Sequence, residues 1–320
     1  MTEYERERVT LARLPSGVAV ETTVHVYGEG DPTVYAQAAQ HGREINGSAV
    51  LRRLHEELLD RDSLDGTLVA VPVADPLTFD RVSYTTPEAY DAVNPNMNRC
   101  WPGDPEGSLH ERMAAALWEY AGEAEFIVDL HTGSRDMLTH TVYLKGDEGC
   151  RELAEAFGTD LLLAEAAGED AADEWEQRDF GGKLRVAATR EGIPTITPEL
   201  AHNKELVAGA IDAGLDGLYG VLRHTGLLDD APVPDWNGIR ARNHLGRVTA
   251  SESGLFRAAE GLETGDEVAA GEYVGEVFDP TTYETLQSAR ADRSGIVYSV
   301  AREATVTAGQ TLVGVAIGLE

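Results

Sequence analysis

The hydrophobic pattern of the chain switches between two periods, one typical of β-strands and the other of α-helices. Apolar and polar residues alternate over 17–27, a glycine-rich turn follows at 28–32, and a second β-rich run covers 33–39. Apolar residues then recur at helical spacing over 50–59, which predicts an amphipathic helix. The N-terminal part is therefore predicted to form two strands and a helix.

The alternation of strands and helices continues as far as residue 223. Short β-rich runs lie at 67–73, 125–130, 141–144 and 194–197, and helical patterns lie at 109–120, 148–157 and 205–223. Strands that alternate with helices are typical of an α/β domain. We predict a mixed, largely parallel sheet flanked by helices, and we expect binding residues at the carboxyl ends of its strands.

The character of the chain changes after a linker rich in aspartate and proline at 229–235. Short strands with glycine turns follow, and the pattern at 268–275 returns at 306–314. This repeat resembles the two halves of a biotinyl/lipoyl-type barrel-sandwich domain, but this part of the chain has no lysine that a carrier domain would modify. We predict an α/β domain over 1–235 and a small, non-carrier all-β domain over 236–320.

The composition is that of a globular protein with a very acidic surface. Apolar residues make up 42% of the 320 residues, and 56 Asp and Glu against 26 Lys and Arg give a formal charge of -30. Such a surface repels nucleic acid and anionic membranes, and it repels itself unless salt shortens the Debye length. We therefore expect a halophile-like protein that has neither nucleic acid nor membrane as a partner.

The chain carries no targeting or disulfide signal. Its first residues are charged, and no segment approaches the roughly 18 apolar residues of a membrane span, so we expect a cytoplasmic location. Cys100 and Cys150 lack the spacing of a metal or redox motif and are expected to be reduced packing residues. The sequence leaves the oligomeric state open, and a homo-oligomer is compatible with it.

His41 and Glu44 follow the strand predicted at 33–39 at a spacing that lets an imidazole and a carboxylate bind one cation. His131 follows the strand predicted at 125–130 and offers a third ligand. Two histidines and one carboxylate leave a fourth zinc position open for water, which is the composition of a catalytic site. The alternative for His131 is an ordinary core histidine.

Two further carboxylates stand near these candidate ligands. Asp129 lies on the same face of its strand as His131, where it either orients a histidine ligand or is an ordinary strand-end aspartate. Glu199 follows the strand predicted at 194–197 and is either a helix-start residue or a general base aimed at metal-bound water.

A long segment without helical pattern precedes the helix predicted at 109–120, and loops of this length are usually functional. This segment, which runs to Asp104, contains Asn98 and Arg99, whose amide and guanidinium groups suit bidentate binding of a carboxylate, with a loop-stabilising salt bridge as the alternative. Arg185 is a candidate for a second anion anchor, with Arg190 as its competitor.

The order of these motifs resembles that of the succinylglutamate desuccinylase/aspartoacylase family, which are zinc amidohydrolases related to the zinc carboxypeptidases. The motifs are His41-Gly42-Arg43-Glu44, Asn98-Arg99 followed by Pro102-Gly103, Asp129-Leu130-His131, and Pro198-Glu199. The resemblance covers roughly residues 16–223. It implies a zinc carboxypeptidase-like fold, and the terminal β domain matches the two-domain plan of the family.

The resemblance also implies the composition of the metal site. One Zn²⁺ per chain would be held by His41, Glu44 and His131, with Glu199 as the general base and acid. The implied activity is that of a zinc-dependent deacylase, which cleaves the amide bond of a small N-acyl amino acid or a related acylated amine.

For the substrate, the resemblance implies that Asn98 and Arg99 bind the carboxylate of the amino-acid portion, and Arg185 would add a second anchor. The family also uses an arginine shortly before this motif to polarise the scissile carbonyl, but Asp91 stands in that place here. The nearest upstream candidate is Arg81, to which we assign this role.

Two alternatives share parts of this site. A zinc carboxypeptidase acting on short peptides would have the same metal ligands and a different leaving group. A metal- or ligand-binding protein without catalysis would use its β domain as an interaction module. The motifs do not specify the acyl group, the amino acid or the amine.

Overall fold

The computed structural model describes residues 2–133, 135–166 and 180–318. Its strands are β1 (Tyr4–Arg13), β2 (Ala19–Glu29), β3 (Thr33–Ala38), β4 (Gly66–Val71), β5 (Phe126–Gly133), β6 (Asp136–Met137), β7 (His140–Leu144), β8 (Leu161–Glu165), β9 (Thr195–His202), β10 (Ile239–Thr249), β11 (Gly254–Ala258), β12 (Glu267–Val268), β13 (Tyr273–Phe278), β14 (Thr285–Arg290), β15 (Gly295–Val300), β16 (Thr305–Val306) and β17 (Thr311–Gly318). Its helices are α1 (Asn46–Leu58), α2 (Pro76–Arg81), α3 (Leu109–Ala121), α4 (Glu148–Phe157), α5 (Leu184–Arg190) and α6 (Ala208–His224), with 3-10 turns at Met97–Arg99 and Phe180–Gly182.

The strands β1 to β5 and β7 to β9 of the N-terminal part form one mixed sheet with β10 of the C-terminal part, in the order β1-β2-β4-β3-β5-β9-β7-β8-β10. Strands β4, β3, β5 and β9 run parallel to one another, whereas β7, β8 and β10 run parallel to one another in the opposite direction. An antiparallel pair, β1 and β2, completes one edge. The predicted mixed, largely parallel sheet is thus confirmed.

Helices cover both faces of this sheet. Helices α1, α4 and α6 pack on one face in a cluster that contains Leu54, and α3 and α5 pack on the other in a cluster that contains Leu117. In β5, Val128 belongs to the first cluster and its neighbour Ile127 to the second. Because its side chains enter an apolar layer on both faces, the strand reads as a continuous apolar run in the sequence.

The C-terminal residues extend the main sheet and build a second one. Strand β10 pairs in parallel with β8 and antiparallel with β17, so the main sheet continues through β17, β15 and β12. The second sheet has the order β14-β13-β11-β16. The predicted all-β character of this part is confirmed, whereas the domain boundary at 235/236 stays a prediction because β10 pairs with strands on both sides of it.

The repeat seen in the C-terminal sequence has a structural counterpart. In each copy a two-residue strand is followed by a turn and a longer strand, first β12 with β13 and then β16 with β17. Their apolar residues meet in one cluster, which contains Val274 and Leu312. The repeat therefore supplies matching halves of one small core.

Two sequence expectations outside the site can be compared with the structure. Cys100 and Cys150 are buried and are not joined in a disulfide, as expected of packing residues. Within the described parts of the chain, every helix is too short or too polar to cross a lipid bilayer.

Candidate metal centre and active site

The predicted metal ligands meet at the carboxyl ends of two neighbouring parallel strands. His41 and Glu44 follow β3, and His131 lies within β5, the next strand of the sheet. Ala39, between β3 and His41, has a φ of 50°, in the left-handed region that non-glycine residues rarely adopt. The chain therefore leaves β3 in a strained turn directly before its first candidate ligand, as is common at functional sites.

Glu44 stands between the two histidines. Its Oε1 lies 3.0 Å from Nδ1 of His41, and its Oε2 lies 2.9 Å from Nδ1 of His131. All three side chains are buried. Burial by itself raises the pKa of Glu44, but the two imidazoles outweigh burial and hold this pKa well below its usual range. The carboxylate is therefore ionised and faces two nitrogen atoms.

This donor set fits a single zinc ion. Ligand atoms of His41, Glu44 and His131 all lie within 4.8 Å of one another. Neutral imidazole and an ionised carboxylate are preferred zinc ligands, and three protein ligands leave one of the four tetrahedral positions for water. His41, Glu44 and His131 would therefore be able to hold one zinc ion, which would supply Lewis-acid chemistry.

Asp129 orients His131 from the side opposite to Glu44. Its Oδ2 lies 3.0 Å from Nε2 of His131. The amides of Gln37 and Gln40 donate hydrogen bonds to the same carboxylate, at 2.9 and 3.2 Å. With Nε2 directed at a carboxylate, Nδ1 of His131 faces Glu44, and a carboxylate behind the imidazole in this way commonly supports a zinc-binding histidine.

Asn96 has the corresponding position behind His41. Its Oδ1 lies 3.2 Å from Nε2 of His41 and also accepts the backbone N–H of Asn98 at 2.9 Å. The ring of Tyr84 packs against His41 at a tilt of 32°, with 3.9 Å between the ring centres. The sequence patterns assigned no role to Asn96 or Tyr84, although both lie in the long segment without helical pattern that was expected to be functional.

Gly42 lies where α2 crosses the metal-binding turn. A Cβ at this position would lie 1.9 Å from the carbonyl carbon of Thr78, and the N–H of Gly42 donates to Thr78 Oγ1 at 3.1 Å. We expect Gly42→Ala to lower the free energy of unfolding by about 1–3 kcal/mol or more, because backbone must move to admit the methyl group. The same movement should weaken zinc binding.

Denaturant unfolding and zinc titration of the variant test this expectation. Gly209→Ala is the matched control, since a Cβ at Gly209 meets nothing within 4 Å. Equal effects of the two substitutions on stability would show that the short distance between Gly42 and the backbone of Thr78 is not required for stability.

Glu199 lies beside His131 on the neighbouring strand. The two residues form a register pair between β5 and β9, and both line the same cavity. Burial raises the pKa of Glu199 to about 7, with His131 acting against this shift and Glu44 adding to it. A carboxyl group that titrates near neutrality is suited to exchange protons with substrate and water.

Asn98 and Arg99 line the cavity beside the metal ligands. Nδ2 of Asn98 lies 3.4 Å from Nε2 of His131, and its Oδ1 accepts the N–H of Leu184 at 3.2 Å. The guanidinium carbon of Arg99 lies 5.0 Å from the centre of the Phe180 ring. The structure thus brings the predicted pair to the ligands, while its role in carboxylate binding stays a prediction.

Arg185 lines the same cavity, bound to Glu165. Its Nη1 donates to Glu165 Oε2 at 2.9 Å, and Lys183 Nζ lies 3.1 Å from Oε1. Burial lowers the pKa of Lys183 to about 8, against the attraction of Glu165. The competitor Arg190 is exposed instead and donates to the carbonyl of Gly181 at 3.2 Å. The sequence patterns did not predict β8, so Glu165 at the end of this strand was not recognised as a candidate site residue.

Arg81 is not among the residues that line this cavity. It is exposed at the end of α2, where its guanidinium carbon lies 4.4 Å from the centre of the Tyr90 ring. Asp91, in the place where the family resemblance implies an arginine, is buried and accepts the N–H of His110 at 2.9 Å. Arg81 therefore does not reach the cavity as its assigned role requires, whereas Arg43, which precedes Glu44 in the chain, is one of the arginines that line the cavity.

The C-terminal part completes the wall of the cavity. Arg247 and Tyr298 of this part line the cavity together with Arg43 and Arg135. Strand β15, which carries Tyr298, pairs with β6, the strand that follows the one carrying His131. A direct backbone contact therefore ties the β part to the candidate metal centre.

Comparison with known proteins supports the same assignment. A model of the family described as succinylglutamate desuccinylase/aspartoacylase catalytic domain matches residues 30–225. The N-alpha-acetyl-L-2,4-diaminobutyric acid deacetylase of Halomonas elongata is 28% identical over 313 residues, which cover 93% of this chain and 86% of that protein.

Two solved structures have the same fold. A succinylglutamate desuccinylase/aspartoacylase from Rhodobacter sphaeroides superimposes with a TM-score of 0.82 at 24% identity, covering 99% of this chain and 96% of that one. The product-bound ectoine utilization protein EutE (DoeB) from Ruegeria pomeroyi has a TM-score of 0.83 at 23% identity, with coverage of 98% and 95%.

Proposed function

The chain belongs to the succinylglutamate desuccinylase/aspartoacylase family of amidohydrolases that act on small acylated amino acids, and we propose that its own hydrolysis depends on one zinc ion. The ion would be held by His41, Glu44 and His131. The observation that carries this proposal is the buried group of three donor side chains with Glu199 on the adjacent strand. A ligand set open on one side, next to a carboxyl group that titrates near neutrality, is the composition of a hydrolytic site.

Each residue of the centre has a definite task in this reaction. Bound zinc supplies a Lewis acid that acidifies water and polarises the scissile carbonyl. Glu199 accepts a proton from the water as its oxygen attacks the carbonyl carbon, and it returns this proton to the amine nitrogen as the C–N bond breaks. Asp129 and Asn96 hold the Nε2 sides of the two histidines, so that both Nδ1 atoms keep facing the metal position.

The part of the cavity wall that contains Arg99, Lys183 and Arg185 would bind the substrate carboxylate. Arg99, Lys183 and Arg185 all act on the carboxylate of Glu165, and all four residues line the cavity. We assign Asn98 and Arg99 to the carboxylate of the amino-acid portion, with Arg185 as a second anchor. An arginine fork beside an amide offers the planar donors that a carboxylate requires.

A substrate panel with metal analysis tests the proposed function. The panel contains N-acetyl and N-succinyl amino acids, including N-alpha-acetyl-L-2,4-diaminobutyric acid, on which the relative from Halomonas elongata acts according to its name, and dipeptides with a free carboxyl terminus. We expect amine release from an N-acyl amino acid, lost on chelation and restored by zinc. Hydrolysis of dipeptides alone would identify a carboxypeptidase, and zinc binding without turnover of any substrate would identify a non-catalytic binding protein.

We also propose that the enzyme works in a cytoplasm of high salt concentration. The net charge is -30 and the chain has only three lysines, Lys145, Lys183 and Lys204. Raising KCl from about 0.1 M to about 1 M shortens the screening length from about 10 Å to about 3 Å and so weakens the repulsion between surface carboxylates.

We therefore expect the thermal unfolding midpoint to rise by several degrees over this range of KCl concentration. A midpoint that is independent of the KCl concentration would contradict the electrostatic origin of the effect.

A further inference from the structure

A buried histidine on α3 joins two carboxylates that lie outside the candidate active site. His110 is 0% exposed, its Nδ1 lies 3.1 Å from Oδ2 of Asp91, and its Nε2 lies 3.4 Å from Oδ2 of Asp75. None of these three is among the described residues that line the cavity of the metal ligands. The proposed reaction gives them no task, yet burying three ionisable groups is unfavourable unless they are paired.

The two carboxylates organise two different segments of the chain. Asp75 begins α2, where it accepts two backbone N–H groups at 3.0 and 3.2 Å. Asp91 accepts two backbone N–H groups of the segment 82–96, at 3.0 and 2.8 Å, and that of His110 at 2.9 Å. We call residues 82–96 the 82–96 loop. His110 therefore connects both the start of α2 and the 82–96 loop to the same position on α3.

Both segments contact the first metal ligand or its neighbour. The 82–96 loop supplies Tyr84, whose ring centre lies 3.9 Å from that of His41, and Asn96, whose Oδ1 lies 3.2 Å from His41 Nε2. Helix α2 supplies Thr78, which accepts the N–H of Gly42 at 3.1 Å. A shift of either segment would consequently change the position of His41.

His110 can serve both carboxylates only when both of its ring nitrogens carry a proton. The charged side chains that contact it are Asp75, from the start of α2, and Asp91, from the 82–96 loop. Burial lowers the pKa of His110, but the two carboxylates raise it more, so the net shift is upward from 6.5. Oδ2 of Asp75 and Nε2 of His110 both lack a hydrogen-bond partner within the described residues, so their contact at 3.4 Å is an ion pair, in which the imidazolium charge compensates that of Asp75.

We propose that His110 is a positioning residue for the metal centre, which fixes α2 and the 82–96 loop against His41 and thereby strengthens zinc binding. The identity of the metal rests on the proposed function, whereas the tie itself rests on the contacts of His110, Asp75 and Asp91. His110 acts through Asn96, Tyr84 and Thr78 and does not touch the reacting atoms.

His110→Gln tests this proposal, with His224→Gln as the matched control at the exposed end of α6. Zinc affinity is measured by competition with a chromogenic chelator, and amide hydrogen exchange is measured in residues 82–96 and in β5. We expect zinc affinity to fall about tenfold, the lower end of the range for loss of groups that orient a metal ligand. Exchange should become faster in the 82–96 loop and stay unchanged in β5, and the control should match the wild type.

Wild-type zinc affinity and wild-type loop exchange in a folded His110→Gln variant would overturn the proposal. If that variant does not fold, Asp91→Asn keeps the histidine and removes one of its charged partners; both quantities should then change in the same direction, and unchanged values would equally overturn it. Neither readout requires turnover. Failure of the wild type to hydrolyse any substrate would therefore contradict the proposed function alone.

Discussion

Replacing Glu199 by glutamine should leave zinc bound and remove most of the turnover. An amide has nearly the shape of a carboxylate, but it neither takes a proton from water nor returns one to the departing amine. General acid–base groups contribute about 10²–10⁴-fold to the rate, so we expect kcat to fall by a factor in this range. Zinc content should be retained because Glu199 is not one of the three clustered donors.

The measurement is kcat on the best substrate of the panel, together with the zinc content of the purified variant. Glu191→Gln, at the exposed end of α5, is the control and should match the wild type in both. Turnover near the wild-type value in a zinc-loaded Glu199→Gln would exclude Glu199 as the base. Loss of zinc in this variant would identify Glu199 as a ligand instead.

The centre of the site could be anticipated because local sequence determines much of it. A carboxylate three residues after a histidine, both directly after a strand, can face the same ion because their spacing is set locally. His131 and Glu199 each interrupt a β-rich run, and in a parallel sheet such residues gather at one edge. The structure brings these residues together through the pairing of β5 with β9.

The groups behind the ligands were not predictable in this way. Gln37 lies in β3 among buried residues and gives no signal of its own until β5 places Asp129 beside it, with 2.9 Å between its Nε2 and the carboxylate. Glu165 and Lys183 come from separate elements that meet only in three dimensions. Contacts of this kind depend on the register of strands, which local patterns leave open.

The errors have physical causes as well. Strand β1 was missed because it is an edge strand in which Glu and Arg alternate on exposed faces, so it has no apolar period. Arg81 was assigned to the carbonyl on sequence distance alone. The position of a residue along a loop does not determine where its side chain lies. In this structure Asp91 is hydrogen-bonded to His110, and the guanidinium group of Arg81 lies over the ring of Tyr90.

His131→Ala should have the second large effect, the loss of zinc together with turnover. Its Nδ1 is one of the three donors of the cluster, and two remaining ligands do not define a site for zinc. Loss of groups that only orient a ligand weakens metal binding about 10–100-fold, so removal of a ligand should weaken it by more. We expect chelator competition to detect no stoichiometric zinc in the variant, and kcat to fall at least as far as in Glu199→Gln.

The substitution also removes the cation that compensates two buried carboxylates, so stability must be separated from metal binding. The carboxylates of Glu44 and Asp129 raise the pKa of His131 against the opposing effect of burial, which makes it an imidazolium partner of both in the absence of metal. Removing one member of a buried ion pair costs about 3–5 kcal/mol, and His131→Ala should be less stable than the wild type by this order even without zinc.

A ligand at 100 times its Kd adds about 2.7 kcal/mol of stability to a protein that binds it. Added zinc should therefore raise the unfolding midpoint of the wild type and of an exposed control, His224→Ala, and leave the midpoint of His131→Ala unchanged. If zinc stabilises His131→Ala as well, His131 is not a zinc ligand.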